Sequence, residues 1–343
     1  MASLLEKEPL FKKRPNRYSL IPISQEFSIE YSLFKKAESN FWTSEEFDYT
    51  KDAKDWSTLD KGSQEFIENM FAFFSGGDYI VNDNLALNFY AAFDIPEIRA
   101  FYANQIFMET IHSETYGLLI DKLIKDPIRR EELFNSFEHL PHIRSLYLWA
   151  QKWIHIVPEM EMEKYNIEHD RAYLWAMYKK LVAFACVEGI MFSGPFAAIY
   201  WIREQGVMDA LTGSNNVIAR DEGLHTIFAC QLLSRFVEKP PQDQIMEIIL
   251  ESVAASKEFI NESIDKLIGI SKETMGEYIE FVGDGLLNRI GLPKYWGTPL
   301  PRTFSFMEKI SYDGMSNFFE KRSTEYAISA ELVSDGIQIS DDF

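Results

Sequence analysis

The chain has 343 residues, of which 46% are hydrophobic and 25% charged, and its formal net charge is −19. This length and apolar content suffice for one large core or two smaller ones. An acidic surface repels phosphate backbones, so the charge argues against nucleic-acid binding.

The cysteines and the first residues bear on the location of the protein. Cys186 and Cys230 show no CxxC or Cys/His spacing, which argues against zinc fingers, iron–sulfur clusters and a disulfide framework. The N-terminus reads "MASLLEKEPLFKKRPNRYS", which is charged early and lacks an apolar signal core. No charge-free run reaches the length of a membrane span. We therefore expect a cytosolic protein that contacts no membrane.

From Tyr31 onward the hydrophobic pattern is helical. Apolar residues recur at i, i+3, i+4 and i+7 in six segments, at 63–91, 97–124, 142–155, 168–204, 215–237 and 241–268. No alternating strand pattern with a hairpin turn interrupts them. The Gly- and Pro-rich residues 283–302 predict an irregular return.

The pattern therefore predicts an all-α protein with one folded domain. Residues 1–20 predict a loose N-terminal arm, and residues 21–320 the helical domain. Residues 321–343 are polar and acidic, which predicts a flexible C-terminal tail.

The segment 97–124 contains "IFMETIHSETYGLLI", an apolar helix that carries Glu109, His112 and Tyr116. At about 100° per residue, Tyr116 returns to within roughly 20° of Glu109, and His112 lies about 60° to the side. A lone buried charge is costly unless it is paired or bound to a metal. The shared face therefore predicts an ionic partner or a cation.

The pattern Glu-x-x-His occurs twice, at 109–112 and at 222–225. In a chain rich in Glu, two matches are only mildly surprising, and core histidines beside solvated glutamates would explain them. However, Asp78 lies 31 residues before the first motif, and Glu188 lies 34 residues before the second. Carboxylate and Glu-x-x-His in alternation on four helices is the ligand pattern of ferritin-like dimetal bundles. Carboxylate and imidazole ligands suit iron or manganese.

At these motifs the sequence resembles the small, radical-generating subunit of class I ribonucleotide reductase, in its eukaryotic and large-DNA-virus branch. The resemblance extends from about Tyr31 to Phe343. It rests on "KKAESNFWTSEEFD", "MFAFFSGGDYIVNDNL", "FMETIHSETYGLLI", "FACVEGIMFSGPFAAIYW", "ARDEGLH" and "FFEKRSTEY". It implies a ferritin-like bundle with a dimetal-carboxylate core. The implied cofactor is a pair of iron ions, with manganese possible, and the implied oxidant is O₂.

The resemblance also implies roles for individual residues. The implied metal ligands are Asp78, Glu109, His112, Glu188, Glu222 and His225. Tyr116 falls on the position of the radical tyrosine. The implied route of electrons and protons toward the large subunit runs through Trp42, Asp221 and Tyr326.

Three apolar residues are candidates to surround Tyr116. Phe192 and Phe196 lie four and eight residues after Glu188, and Ile218 lies four residues before Glu222. Ordinary core packing explains the three equally well, and the two roles do not conflict. Pro195 lacks a backbone donor and predicts a kink in the helix near Phe192–Phe196.

The expected protein is the homodimeric small subunit of a ribonucleoside-diphosphate reductase. Its tyrosyl radical would pass to a large subunit that reduces ribonucleotides to deoxyribonucleotides and docks on the tail at 337–343. The first alternative is a ferritin-like oxidase or monooxygenase with its own substrate pocket, and the second is an iron storage protein. The position of Tyr116 and the tyrosine-bearing acidic tail argue against the first alternative. Storage proteins are built from chains about half this length and need no tail for a partner, which argues against the second.

Overall fold

The computed structural model describes residues 3–15, 19–154, 167–263 and 270–307. Within these ranges the chain is helical and forms no β-strand, which confirms the all-α prediction. The α-helices are α1 (Ser28–Ser39), α2 (Tyr49–Thr58), α3 (Lys61–Asn84), α4 (Pro96–Leu123), α5 (Pro127–Phe134), α6 (Ser136–His139), α7 (Pro141–Ile154), α8 (Ile167–Cys186), α9 (Ser193–Glu204), α10 (Asp209–Arg235), α11 (Gln242–Ser263) and α12 (Lys272–Arg289). Two π-helical segments follow α3 and α8, at Leu85–Tyr90 and Val187–Met191.

The helices pack around one apolar core. α4 packs between α1 and α3, and α8 packs against α10 and α11. The stretch Asp170–Glu204 is long and apolar enough to cross a membrane by length and composition. However, 89% of its most apolar window is buried inside the protein, as expected of a core helix. The fold thus surrounds this stretch with other helices.

The predicted long helix at 168–204 is interrupted beside a candidate metal ligand. The Phe192 backbone N–H donates to the Val187 carbonyl at 3.2 Å, five residues back, which widens the turn that carries Glu188. Pro195 lies in the first turn of α9, where a helix needs no backbone donor. The break in the helix therefore lies about one turn before the kink that Pro195 predicted. Short π-helical turns within α-helices are frequent at functional sites.

Helix α10 begins at Asp209, six residues before the segment that its hydrophobic pattern predicted. The reason is a cap from another helix. The carboxylate of Asp52, on α2, accepts the backbone N–H groups of Ala210 at 3.0 Å and Leu211 at 2.7 Å. These N–H groups have no partner within their own helix, so Asp52 satisfies them and fixes where α10 starts.

The irregular return expected at 283–302 begins only after α12 ends at Arg289. Asp284, on α12, accepts the backbone N–H groups of Tyr295, Trp296 and Gly297 at 2.7–3.1 Å. The Gly- and Pro-rich return therefore folds back onto the helix that precedes it.

The N-terminal arm, which we expected to be loose, is packed against the body where it is described. The Ser3 hydroxyl donates to Asp170 Oδ2 at 2.6 Å. The buried carboxylate of Glu8 accepts the backbone N–H groups of Val237 at 3.0 Å and Glu238 at 2.6 Å, just beyond the end of α10. Helical periodicity along the sequence does not reveal hydrogen bonds between side chains of the arm and residues far along the chain. The tail at 321–343 lies outside the described residues.

The cap on α10 gives the first prediction. Asp52→Ala leaves two buried backbone N–H groups unpaired, so it should lower the free energy of unfolding by about 1–3 kcal/mol. The change is measured by thermal or urea unfolding of the metal-free protein. The matched control is Asp48→Ala, which removes a cap at the exposed start of α2 and should cost less. Equal losses for the two variants would contradict the role of Asp52.

Candidate metal centre

Six side chains that the sequence singled out come from four parts of the bundle. Helix α3 supplies one carboxylate, α4 and α10 each supply a Glu-x-x-His pair, and the π-helical segment at 187–191 supplies one glutamate. All six are buried: Asp78, Glu109, His112, Glu188, Glu222 and His225. The apolar periodicity of these helices forces the face that carries the ligands into the core, because the rest of the same face is apolar.

Four of these side chains already have ligand geometry. One ligand atom from each of Glu109, Glu188, Glu222 and His225 lies within 4.8 Å of the others. His225 Nδ1 lies 3.0 Å from Glu109 Oε1 and 2.7 Å from Glu222 Oε2. His112 Nδ1 lies 2.9 Å from Glu222 Oε1 and 3.3 Å from Glu109 Oε2. Each of the two glutamates therefore faces both imidazoles, which places them between two potential ion positions.

The donor set fits a pair of divalent cations. Buried carboxylate oxygens require a partner, yet no donor in the described part of the chain hydrogen-bonds to Asp78 Oδ2 or Glu188 Oε2. Four carboxylates with two neutral imidazoles carry four negative charges, which two divalent ions neutralise. Oxygen and imidazole ligands are those that iron and manganese accept. Gln105 Nε2 also donates to Glu188 Oε1 at 3.1 Å and orients that carboxylate.

The electrostatics of the metal-free cluster agree with this fit. Burial raises the pKa of Asp78 and of Glu188, and neighbouring glutamates raise both further. Burial, the largest single cause, would lower the pKa of His112 and His225, but the charges and hydrogen bonds of the surrounding carboxylates, Glu222 first among them, together raise both pKa values. Burial would raise the pKa of Glu222, but the two imidazoles lower it on balance. These pKa shifts favour bound protons at the metal-free site, so metal ions compete with protons for the same side chains.

Tyr116 lies two turns beyond Glu109 on α4 and is fully buried. Its ring stacks on Phe74, with ring centroids 4.6 Å apart and an interplanar angle of 6°. Its hydroxyl donates to Asn215 Oδ1 at 2.9 Å. The sequence reasoning missed both neighbours, although their spacing gave a signal. Phe74 lies four residues before Asp78, and Asn215 lies seven before Glu222, so each shares a helix face with a ligand.

The three apolar candidates occupy different places around this phenol. Phe192 and Phe196 pack against Phe74, with ring centroids 5.4 Å and 4.9 Å apart, and thus form a layer behind it. Ile218 is buried on α10, between Asn215 and the ligands. The ring that stacks directly on Tyr116 is that of Phe74.

On another side of the centre, Trp42 and Asp221 lie beside His112. Trp42 Nε1 donates to Asp221 Oδ2 at 2.8 Å, and the same oxygen lies 3.4 Å from His112 Nε2. The rings of Trp42 and His112 are nearly parallel, with centroids 5.8 Å apart. Arg220 holds this arrangement by donating to the Asn40 carbonyl at 2.6 Å. Tyr326 lies outside the described residues.

The second prediction tests the ligand set. Glu222→Ala removes a carboxylate that faces both imidazoles, so binding of Fe(II) or Mn(II) under anaerobic conditions should fall well below two ions per chain. The control is Glu114→Ala, on the exposed face of α4, where the carboxylate accepts from the Ser44 hydroxyl at 2.8 Å. Metal analysis after gel filtration measures the stoichiometry. Two ions retained by Glu222→Ala would contradict the assignment.

Comparisons with known proteins agree with this geometry. The family "Ribonucleotide reductase, small chain" matches residues 19–302. The chain is 43% identical over 323 residues to human "Ribonucleoside-diphosphate reductase subunit M2", which covers 94% of this chain and 78% of that protein. It is 43% identical over 320 residues to the "Ribonucleoside-diphosphate reductase small chain" of vaccinia virus strain Western Reserve, covering 93% of this chain and 94% of that protein.

A solved structure extends the agreement to the fold. The structure of the ribonucleotide reductase Rnr4 homodimer from Saccharomyces cerevisiae matches with a TM-score of 0.73 and 31% identity, covering 89% of this chain and 92% of that chain. The family match spans most of the chain, and two relatives exceed 40% identity over nearly all of it. This chain therefore belongs to the ribonucleotide reductase small-chain family.

Proposed function

We propose that this chain, as the small subunit of a ribonucleoside-diphosphate reductase, forms a radical on Tyr116 and delivers its oxidising equivalent through His112, Asp221 and Trp42. The observation that carries the proposal is the placement of these groups around one buried cluster. Tyr116 is enclosed on α4, and the hydrogen-bonded pair Asp221 and Trp42 leads from His112 toward residues 40–44.

The cluster would hold the cofactor. Its ligands would be the six side chains described above, and the ions would be two iron ions or two manganese ions, since both metals accept this donor set. The chemistry that such a pair supplies when bound is the activation of O₂ to a strong oxidant.

The surroundings of Tyr116 suit a long-lived radical. Its phenol is fully buried, and Phe74 covers one face of the ring. Burial raises the pKa of Tyr116, and the charges of Asp78 and Glu222 raise it further. The species to be oxidised is therefore the neutral phenol, which must lose a proton together with the electron. Enclosure by apolar side chains excludes water and reductants from the resulting oxygen.

The transfer route has a hydrogen bond at its centre. Asp221 accepts from the Trp42 indole and lies beside the outer nitrogen of His112, so it can orient both rings.

We place Tyr326 further along the same route. The docking segment would be 337–343, in which Ile337, Ile339 and Phe343 are apolar anchors, and Asp341 and Asp342 can meet a basic rim. Ordering such a tail costs entropy, so its affinity should be modest.

The assembly and the location complete the proposal. We expect a homodimer, supported by the homodimeric relative from yeast. The exposed, stacked rings of Phe107, on α4, and Phe41, just after α1, offer an apolar surface for a second copy. The cytosol is the expected location, since Cys186 and Cys230 are unpaired and buried.

One cavity bears on the alternative of an enzyme that oxidises its own organic substrate. An apolar cavity beside the ligand helices, lined by Gly77, Val187 and Phe192 among others, measures only about 40 Å³. Pockets for organic ligands are usually some 300 Å³ or larger. The cavity is therefore too small for an organic substrate.

The third prediction concerns the radical residue. Tyr116→Phe removes one hydroxyl and keeps the ring, so the variant should bind metal and consume O₂ but show no stable tyrosyl signal by electron paramagnetic resonance. Tyr200→Phe, which removes another buried phenol, is the control and should retain the signal. A persistent, unchanged signal in Tyr116→Phe would place the radical on another residue.

The fourth prediction concerns transfer. Asp221→Ala and Trp42→Phe each break the hydrogen bond between these residues but remove no proposed metal ligand. Both should keep the tyrosyl signal and lose turnover with the large subunit. The control is Trp175→Phe, since the Trp175 indole donates to Glu238 at 3.2 Å, outside the cluster. Near-normal turnover of Asp221→Ala would rule out this route.

A further inference from the structure

The first turns of α10 bring two adjacent asparagines to two buried tyrosines. Asn215 Oδ1 accepts the Tyr116 hydroxyl at 2.9 Å, and Asn216 Oδ1 accepts the Tyr200 hydroxyl at 3.0 Å. Only Asn215 shares a helix face with the ligand Glu222, because it lies seven residues before it. On α4 the Glu-x-x-His pair comes before Tyr116, and on α10 it comes after Asn215. The two helices therefore bring Tyr116 and Asn215 together at the same end of the carboxylate cluster.

The amide of Asn215 is fixed as an acceptor toward Tyr116. Its Nδ2 donates to the Leu211 carbonyl at 2.9 Å, and the side chain is fully buried. A carbonyl only accepts, so a flipped amide would set two oxygens against each other and lose that bond. Leu211 is itself held by the cap from Asp52. The position of Asn215 Oδ1 therefore follows from the anchored start of α10.

This geometry has a consequence for the oxidation of Tyr116. The reduced phenol can donate to Asn215 Oδ1, whereas an oxidised tyrosine oxygen has no hydrogen left to donate. An amide oxygen is also too weak a base to take up the proton. The phenol would supply one electron and one proton to the reduction of O₂ to water, and two divalent metal ions and one external one-electron donor would supply the other three electrons, with the remaining protons from water. Neither the electron nor the proton of the phenol would therefore remain on Asn215.

We propose that Asn215 is a positioning residue for the radical site: its fixed amide oxygen sets the orientation of the Tyr116 phenol before oxidation, and the radical inherits that orientation. The proposal rests on the proposed radical role of Tyr116. Phe74 fixes the plane of the ring by stacking, and Asn215 fixes the hydroxyl end.

The first test uses metal-free protein and does not depend on radical chemistry. Asn215→Leu, Tyr116→Phe and the double variant form a double-mutant cycle, measured by unfolding. One neutral buried hydrogen bond should give a coupling equivalent to about a 2- to 10-fold change in the unfolding equilibrium constant. Asn215→Ala serves as a second variant if Asn215→Leu does not fold. Additive effects would overturn the hydrogen bond.

The second test uses the metal-loaded protein after exposure to air. The coupling of a tyrosyl radical to its two β-methylene protons depends on the angle of the ring about the Cβ bond. The electron paramagnetic resonance spectrum of Asn215→Leu should therefore show altered or broadened β-proton splittings. Asn216→Leu, which removes the same kind of bond from Tyr200, should leave the spectrum unchanged. Unaltered splittings in Asn215→Leu would overturn the positioning role.

The two tests separate this proposal from the function on which it rests. If Tyr116→Phe retains its radical signal, the radical role of Tyr116 fails, whatever coupling the metal-free protein shows. If Tyr116→Phe loses the signal but the cycle is additive, only the role of Asn215 fails.

Discussion

The structure depends on the burial of four carboxylates within one apolar bundle. Asp78, Glu109, Glu188 and Glu222 would repel one another strongly in a medium of low polarity if all four were charged, so the folded state requires protons or cations among them. The raised pKa values of Asp78, Glu188, His112 and His225 indicate that the site favours bound protons in the absence of metal. Two cations can replace those protons. The helices that flank the cluster are thus held in positions that also serve a metal site.

Two local irregularities help to position the ligands within otherwise regular helices. The wide turn at Val187–Met191 carries Glu188. The cap from Asp52 fixes where α10 starts, and therefore the position along the helix axis of each residue that follows. Because a helix rotates by about 100° per residue, a shift of one residue would turn Glu222 away from the cluster. The wide turn acts on Glu188, which it carries, whereas the cap acts on side chains farther along α10.

The cluster has different surroundings on two sides: buried side chains enclose Tyr116 on one, and polar contacts link His112 to Asp221 and Trp42 on the other. Tyr116 is enclosed between Phe74 and Asn215, with Phe192 and Phe196 behind Phe74. Beside His112, the polar groups of Asp221 and Trp42 are joined by hydrogen bonds. In the proposed function, the radical on Tyr116 must survive and the oxidising equivalent must leave, so the two place opposite demands on their surroundings. The different surroundings on the two sides of the cluster suit both demands.

The sequence by itself determined the helical class, the order of the segments and which carboxylates and imidazoles are candidate ligands, because helical periodicity and Glu-x-x-His spacing are local properties. Tertiary structure decided what local spacing does not contain. Asp52 caps a helix 158 residues away, so the start of α10 could not be read from its own residues. Phe74, rather than Phe192 or Phe196, stacks on Tyr116, since which of several rings touches a phenol depends on how α3 and α4 pack. Asn215 is the first residue of the segment that periodicity predicted at 215–237, and only the approach of α4 to α10 brought the Tyr116 hydroxyl to its amide oxygen. Spacing along one helix fixes which side chains share a face, but contacts between helices fix which of them meet.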